Sequence, residues 1–433
     1  MALLYVPLAI LLTAAASQFK GDLFTPKDCL LLCLMLFFCV APMQRTTAVG
    51  FDSGTTELCL FSTSEILQGQ LLVGAACVCF LLGYRATRSV YRPLRLECRA
   101  DETRFRKHVL IFLAVTVACA FAFVLLSGSL SDIVRPRRLK EHQSESSPLR
   151  MLFLGLVECS VVTQIFMRSQ QASLASKTAL FLQLLLVALL VNPLNSPRFF
   201  NVAVWLPIAF AFLGKRAVVA RIYPAILIGI MLIMPLMSAT TRRGTEGFAN
   251  YMASDSERSV FTLSDMDVFE TLVFSMGFAE NGNYTSGDST LAIILFWVPR
   301  SIWVNKPIVG GHIVGEELQL RYGAGTANLS FFPAADFFLD FGWPGVVLGS
   351  VVLGVVTSAT PLPDVKHGDF SVFQLILTAS IPILVRGPLG AVCGPFLAFL
   401  TAILIFVILL SKVGFRTVLR RVSDDRSSLP NTP

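Results

Sequence analysis

The stretch Leu291–Gly345, LAIILFWVPRSIWVNKPIVGGHIVGEELQLRYGAGTANLSFFPAADFFLDFGWPG, decides how the chain is read. It opens with an apolar run, 291–298, that is too short to cross a bilayer, since a spanning helix needs about 20 apolar residues. Pro299 then removes a backbone donor and stops any helix. The run reads as a re-entrant half-helix whose irregular end at Pro299 and Arg300 must be covered by protein or by a wet cavity. Beyond it stand Lys306, His312, Glu316, Glu317 and Arg321, spaced among glycines. In an apolar chain such a concentration of charge belongs at a water interface or along a cavity, and that is where chemistry is expected.

The surrounding sequence sets the solvent. Of 433 residues, 54% are hydrophobic and only 15% charged, against about 25% charged in soluble domains. The expected fold is an all-α polytopic membrane protein. Apolar runs place spans near 2–17, 29–46, 66–83, 108–127, 151–167, 178–192, 201–214, 222–238, 343–359, 371–386 and 393–411, about eleven in all. The shortest suit tilted helices in a large bundle. The first lacks a basic flank and reads as a span, not a cleaved signal.

Lys and Arg orient the bundle. The segment from Arg85 to Lys107, the Lys215–Arg221 cluster and the tail from Lys412 to Arg421 all fall inside if the N-terminus lies outside. The chain then divides into an N-terminal bundle of about eight spans (1–238), a large extracytoplasmic loop (239–342), C-terminal spans (343–411) and a cytoplasmic tail (412–433). Within the loop, Ser264-Asp265-Met266-Asp267 resembles a capping box. The Val268, Phe269, Leu272, Val273, Met276 stripe that follows predicts an amphipathic helix over 264–277, lying on the membrane face or packed over the bundle. Arg137, Arg138 and Arg198 fall in outer loops, against the orientation rule, which points either to a use for their charge or, over 129–150, to a plain solvated basic loop or an inverted topology. Arg386 ends the tenth span, where it serves either as a snorkelling anchor or as a functional cation. Glu158 is the ionisable residue that stands out inside a predicted span. Ten cysteines lie mostly in or beside apolar runs and four histidines are scattered. Neither pattern suggests a disulfide framework or a metal site, and no cofactor is expected. The net charge of +7 sits largely in short loops and needs no nucleic acid.

Two motifs carry a resemblance. Val298–Pro307, VPRSIWVNKP, resembles the signature of bacterial O-antigen polymerases of the Wzy type. The segment Asp336 to Gly345, DFFLDFGWPG, resembles the one with which those proteins enter a span, with Asp336 in place of the usual glutamate. Thr241-Arg242-Arg243-Gly244 and the LVRG at Leu384–Gly387 sit where such polymerases often carry arginines. The resemblance covers about 242–390 and is only topological before that.

The resemblance implies a glycosyltransferase with a GT-C-like fold in the bacterial inner membrane, its active site facing the periplasm. The donor would be a polyprenyl-pyrophosphate-linked oligosaccharide and the acceptor a second lipid-linked repeat unit. A chain-length co-polymerase and a repeat-unit flippase would be its partners. Such a reaction makes two demands. The leaving pyrophosphate gains charge, so fixed cations should meet it, and arginine suits because its planar fork matches phosphate oxygens. Arg300, Arg386, Arg242, Arg243, Arg321 and Lys306 are the candidates. The attacking hydroxyl needs a proton acceptor, for which Glu316, Glu317, His312 and Asp336 are available. Trp303 can stack on a sugar or anchor at the interface. Glu317 and Arg321 also form a plain i,i+4 surface pair. Two other classes fit the composition: an O-antigen ligase, which would use His312, and a transporter of lipid-linked sugars.

Overall fold

A computed structural model describes residues 5–17, 26–43, 61–90, 95–97, 102–128, 133, 148–168, 173–192, 198–213, 267–296, 298, 302–322, 330–358, 364–367, 370–412 and 416–418. In chain order the helices are α1 (Val6–Ser17), α2 (Pro26–Met35, prolonged by a π-helical turn, Leu36–Val40), α3 (Thr63–Val90) and α4 (Glu102–Leu126). Then come α5 (Pro148–Arg168), α6 (Leu174–Leu190), α7 (Arg198–Leu213), α8 (Val268–Glu280) and α9 (Asp288–Ile294). The last four are α10 (Gly310–Tyr322), α11 (Pro333–Ser358), α12 (Val372–Arg386) and α13 (Leu389–Lys412).

By length and composition, six of these segments could cross a membrane: Pro26–Met43, Thr63–Thr87, Lys107–Leu126, Pro148–Ile165, Pro333–Ser358, which is broken at Gly342, and Val392–Leu410. Shorter apolar helices occupy Leu174–Leu190, Phe200–Leu213 and Leu375–Arg386. The outward faces agree with a lipid environment. On α4, Leu110, Val117, Phe121 and Leu125 are all exposed, a stripe at helical spacing where a water-facing helix would carry charge. These are the helices of a polytopic membrane protein. The span expected at 222–238 lies outside the described residues.

Small residues and hydroxyls hold the bundle together, as they must where lipid removes the hydrophobic drive between helices. The α3–α11 crossing is a backbone contact. A Cβ on Gly83 would fall 2.1 Å from the Val351 carbonyl oxygen, and one on Gly354 would fall 2.1 Å from that of Phe80. Between α4, α5 and α6, Ser160 Oγ donates to the Phe112 carbonyl at 2.9 Å and Gln183 Nε2 donates to Thr116 Oγ1 at 2.9 Å.

A small sheet accompanies the helices. Strands β1 (Arg95–Glu97), β2 (Asp364–His367), β3 (Phe370–Ser371) and β4 (Arg416–Val418) pair in the order β3-β2-β1-β4. β1 runs parallel to β2, with Arg95 opposite Asp364, and antiparallel to β4, with Leu96 opposite Thr417. Strands of two to four residues leave no periodic signal in a sequence. The pairing nevertheless joins two segments that the charge distribution assigns to one side of the membrane, those of β1 and β4, with β2 from the stretch between the expected spans 343–359 and 371–386.

Helix α8 packs against the bundle: Val268, Phe269, Leu272, Val273 and Met276 are buried, and so are Glu270, Thr271 and Ser275. Thr271 and Ser275 tolerate this because their hydroxyls bond to backbone. Thr271 Oγ1 donates to the Ser330 carbonyl at 2.7 Å, and Ser275 Oγ donates one turn back to the Thr271 carbonyl. Phe269 meets Tyr5 and Phe38 edge-on. The helix begins at Val268, and Asp267 at its N-cap makes no side-chain capping bond. The remainder of the expected capping box, Ser264 to Met266, lies outside the described residues.

Helix α11 is two helices. At Gly342 the backbone takes φ 61°, ψ −147°, a region open essentially to glycine alone. Phe337 on the first half lies against Gly345 and Gly349 on the second. A straight helix would carry those positions about 12 and 18 Å further along its axis. The chain therefore folds back on itself at Gly342, and the first half, Pro333 to Phe341, belongs to the region expected to be loop.

Candidate functional site

The carboxylates of the first half of α11 organise the region around the quoted stretch. Asp336 and Asp340 are four residues apart, which sets them on one helix face, and both are buried. Asp340 reaches α9. Its Oδ1 accepts from Thr285 Oγ1 and from the Ser289 amide at 3.2 Å, while its Oδ2 accepts from the amide and the hydroxyl of Thr290. Asp336 reaches α13, its Oδ2 accepting from the Leu389 amide at 2.8 Å. Ser289 Oγ in turn accepts from the Gly310 amide at 2.8 Å at the start of α10. The first amides of a helix have no partner within it, and a carboxylate there also meets the positive end of the helix dipole. Two aspartates and a serine thus tie together the beginnings of three helices.

The other end of α9 is held by charge of the opposite sign. Lys306 Nζ donates to the carbonyls of Leu295, Phe296 and Val298 at 3.2, 3.0 and 3.1 Å. These carbonyls follow directly on Ile294, the last helical residue, where the negative end of the helix dipole favours a cation. The expected half-helix over 291–298 therefore begins earlier, at Asp288, and its helical turns end at Ile294. Side chains from outside the helix, Asp340 and Lys306, meet its two ends.

The LVRG turn closes the region. The Phe331 amide donates to the Arg386 carbonyl at 2.6 Å. Gly311 lies against Phe331 and Pro388, so α10 starts directly beside the Arg386 turn. The Arg386 side chain is half-buried. Along α10 the buried residues are Gly310, Gly311, Val314, Gly315 and Leu318, which leaves His312, Glu316 and Arg321 exposed. His312 Nε2 stands 3.5 Å from Glu316 Oε1 and both side chains are about half exposed, while Glu317 pairs with Arg321.

The candidate residues therefore separate. His312, Glu316, Glu317 and Arg321 share one helix, whose first residues adjoin the Arg386 turn. Lys306 and Asp336, expected at the substrate, are engaged with helix ends. Trp303 is half-buried and its carbonyl accepts from the Lys306 amide at 3.1 Å. Arg198 opens α7. Arg137, Arg138, Arg242, Arg243 and Arg300 lie outside the described residues. Asp340, Thr285, Ser289 and Thr290 were not singled out from the sequence, although the four-residue spacing of Asp336 and Asp340 was legible. Among the described residues no group of three or more His, Cys, Asp or Glu is placed to hold a metal ion. Comparison with known proteins returns no matching family model, no matching characterised protein and no matching solved structure.

Proposed function

We propose that this protein is an oligosaccharide repeat-unit polymerase of surface-polysaccharide synthesis. It transfers a glycan from a polyprenyl-pyrophosphate donor to a lipid-linked acceptor at the outer face of the bacterial inner membrane. The bundle would have about eleven spans and a GT-C-like arrangement. The observation that carries the reading is an assembly of three segments. The VPRSIWVNKP segment, the DFFLDFGWPG segment and the LVRG turn, each marked by the resemblance, are joined through Lys306, Asp340, Asp336 and the Phe331–Arg386 bond.

In this reading the acceptor hydroxyl attacks the anomeric carbon as the bond to the pyrophosphate oxygen breaks. The hydroxyl proton passes to the His312–Glu316 pair. Arg386, with Arg300, Arg242 and Arg243, takes up the charge that develops on the leaving pyrophosphate. Arg137, Arg138 and Arg198 would draw the anionic lipid towards the outer face, and Trp303 would stack on a sugar. Lys306 and Asp336 act through structure, and Glu317 with Arg321 is a surface pair. The chemistry needs no metal.

The test is reconstitution with a lipid-pyrophosphate-linked repeat unit. A ladder of products from the wild type, lost in Arg300→Ala and insensitive to chelator, is expected. A second reading, an O-antigen ligase, draws support from the exposure of His312 beside Glu316. It predicts transfer only once a lipid A core acceptor is added. Movement of labelled lipid across the bilayer with neither transfer would identify a transporter instead.

A further inference from the structure

Glu158 stands at the midpoint of α5 (Pro148–Arg168) and is 1% exposed. Both of its carboxyl oxygens are buried and without a hydrogen-bond partner among the described residues. It is not part of the polar network two residues away. Ser160 faces α4 and α6, whereas Glu158 shares its face with Leu154, Val161 and Ile165, at helical spacing and all buried.

Helix α5 is central, in contact with α4, α6, α7, α12 and α13. The charged or basic residues of those helices lie toward their ends: Glu102, Arg104, Arg106, Lys107 and His108 on α4, Lys177 on α6, Arg198 on α7, Arg386 on α12 and Lys412 on α13. Strand β2, which also touches α5, belongs to the sheet and carries Asp364, Lys366 and His367. An isolated carboxylate in such surroundings carries a large desolvation cost, which real proteins avoid by keeping the group neutral. Ionisable groups this deep in membrane helices mark proton or ion pathways far more often than they serve packing.

We infer that Glu158 is a proton-binding site of the bundle interior. The carboxylic acid is neutral in the closed bundle, its ligand is a proton, and ionisation requires the helices around α5 to part. The site is separate from the outer assembly and does not depend on which reaction occurs there.

The probe is N,N′-dicyclohexylcarbodiimide, which partitions into apolar interiors. The carboxyl oxygen bonds to its central carbon and the acid proton moves to its nitrogen, giving an acylisourea that rearranges to a stable acylurea. Cleavage after Arg150 and Arg168 releases a peptide, 151–168, whose only side-chain carboxyl is Glu158. Full-length protein in lipid nanodiscs should carry one adduct on this peptide and none when a water-soluble carbodiimide is used. The adduct should vanish in Glu158→Gln. An unmodified wild-type peptide, or equal modification by the water-soluble reagent, overturns the inference. Infrared spectra add an independent reading: Glu158→Gln should remove a protonated-carboxyl band from the wild-type spectrum at neutral pH, and an unchanged band contradicts the proposal. If that variant does not fold, the wild-type labelling pattern still decides.

Discussion

Asp340 and Lys306 hold opposite ends of the same short helix. The Asp340 carboxylate accepts from the Ser289 and Thr290 amides where α9 begins, and the Lys306 ammonium donates to the Leu295, Phe296 and Val298 carbonyls where it stops. A helix of seven residues is far below the length that is stable alone in water. Its existence depends on these two side chains, each bringing the charge that the adjoining end of the helix dipole favours.

Removing the carboxylate should therefore be costly. Asp340→Ala leaves two amides and two hydroxyls without their acceptor, a loss of about 3 kcal/mol for a charged, buried hydrogen-bond group. Asp340→Asn keeps one acceptor oxygen and should lose roughly half as much. The fraction of monodisperse protein that survives stepwise heating in detergent should rank wild type above Asn above Ala.

At the opposite end the effect should be local. Lys306→Met should speed hydrogen exchange at the amides of 289–296 while leaving those of α5 unchanged. Lys306→Arg should restore protection only in part, because a planar fork cannot point at three carbonyls as an ammonium does. Equal exchange in the wild type and Lys306→Met would remove the cap from the account.

The reversal at Gly342 has a sharp genetic signature. Gly342→Ala forces a side chain into a backbone region that costs on the order of 1–3 kcal/mol to occupy. It should lower the yield of folded protein, whereas Gly277→Ala, in open space within α8, should not.

Two carboxylates one residue apart should behave differently. Glu317→Gln breaks an exposed i,i+4 pair with Arg321 and should change stability by less than about 0.5 kcal/mol. His312→Ala and Glu316→Gln should leave folding intact and slow glycan transfer by about 100-fold, the lower range for loss of a general base.

The sheet makes a topological prediction. Reporter fusions placed after Glu97, His367 and Val418 should all report the same side of the membrane, the cytoplasm, and a fusion within 281–287 should report the opposite side. A split among the first three would separate segments that β1, β2 and β4 join.

Much of the membrane fold could be read from composition, because apolar runs have no other use at that length. The helices at Thr63–Val90, Glu102–Leu126 and Pro148–Arg168 fall where the runs predicted. What escaped was everything decided by distant partners. The limits of α9 depend on Asp340 and Lys306, residues outside the helix. The burial of α8 depends on Thr271 and Ser275 turning their hydroxyls onto backbone, which no periodicity records. The first half of α11 looked like loop because Gly342 and Pro344 interrupt it, yet the glycine makes a reversal between two helices. At the site, the charged residues of α10 were legible as candidates, while the engagement of Lys306 and Asp336 with helix ends was not.

The most direct test of the central claim is polymerisation by the purified protein in a bilayer, given only a polyprenyl-pyrophosphate-linked repeat unit and no added metal. The account predicts a ladder of products spaced by one repeat unit, formed by the wild type and lost in Arg300→Ala. A folded wild type that forms no ladder, but adds glycan when lipid A core is supplied or carries labelled lipid across the bilayer, would contradict it.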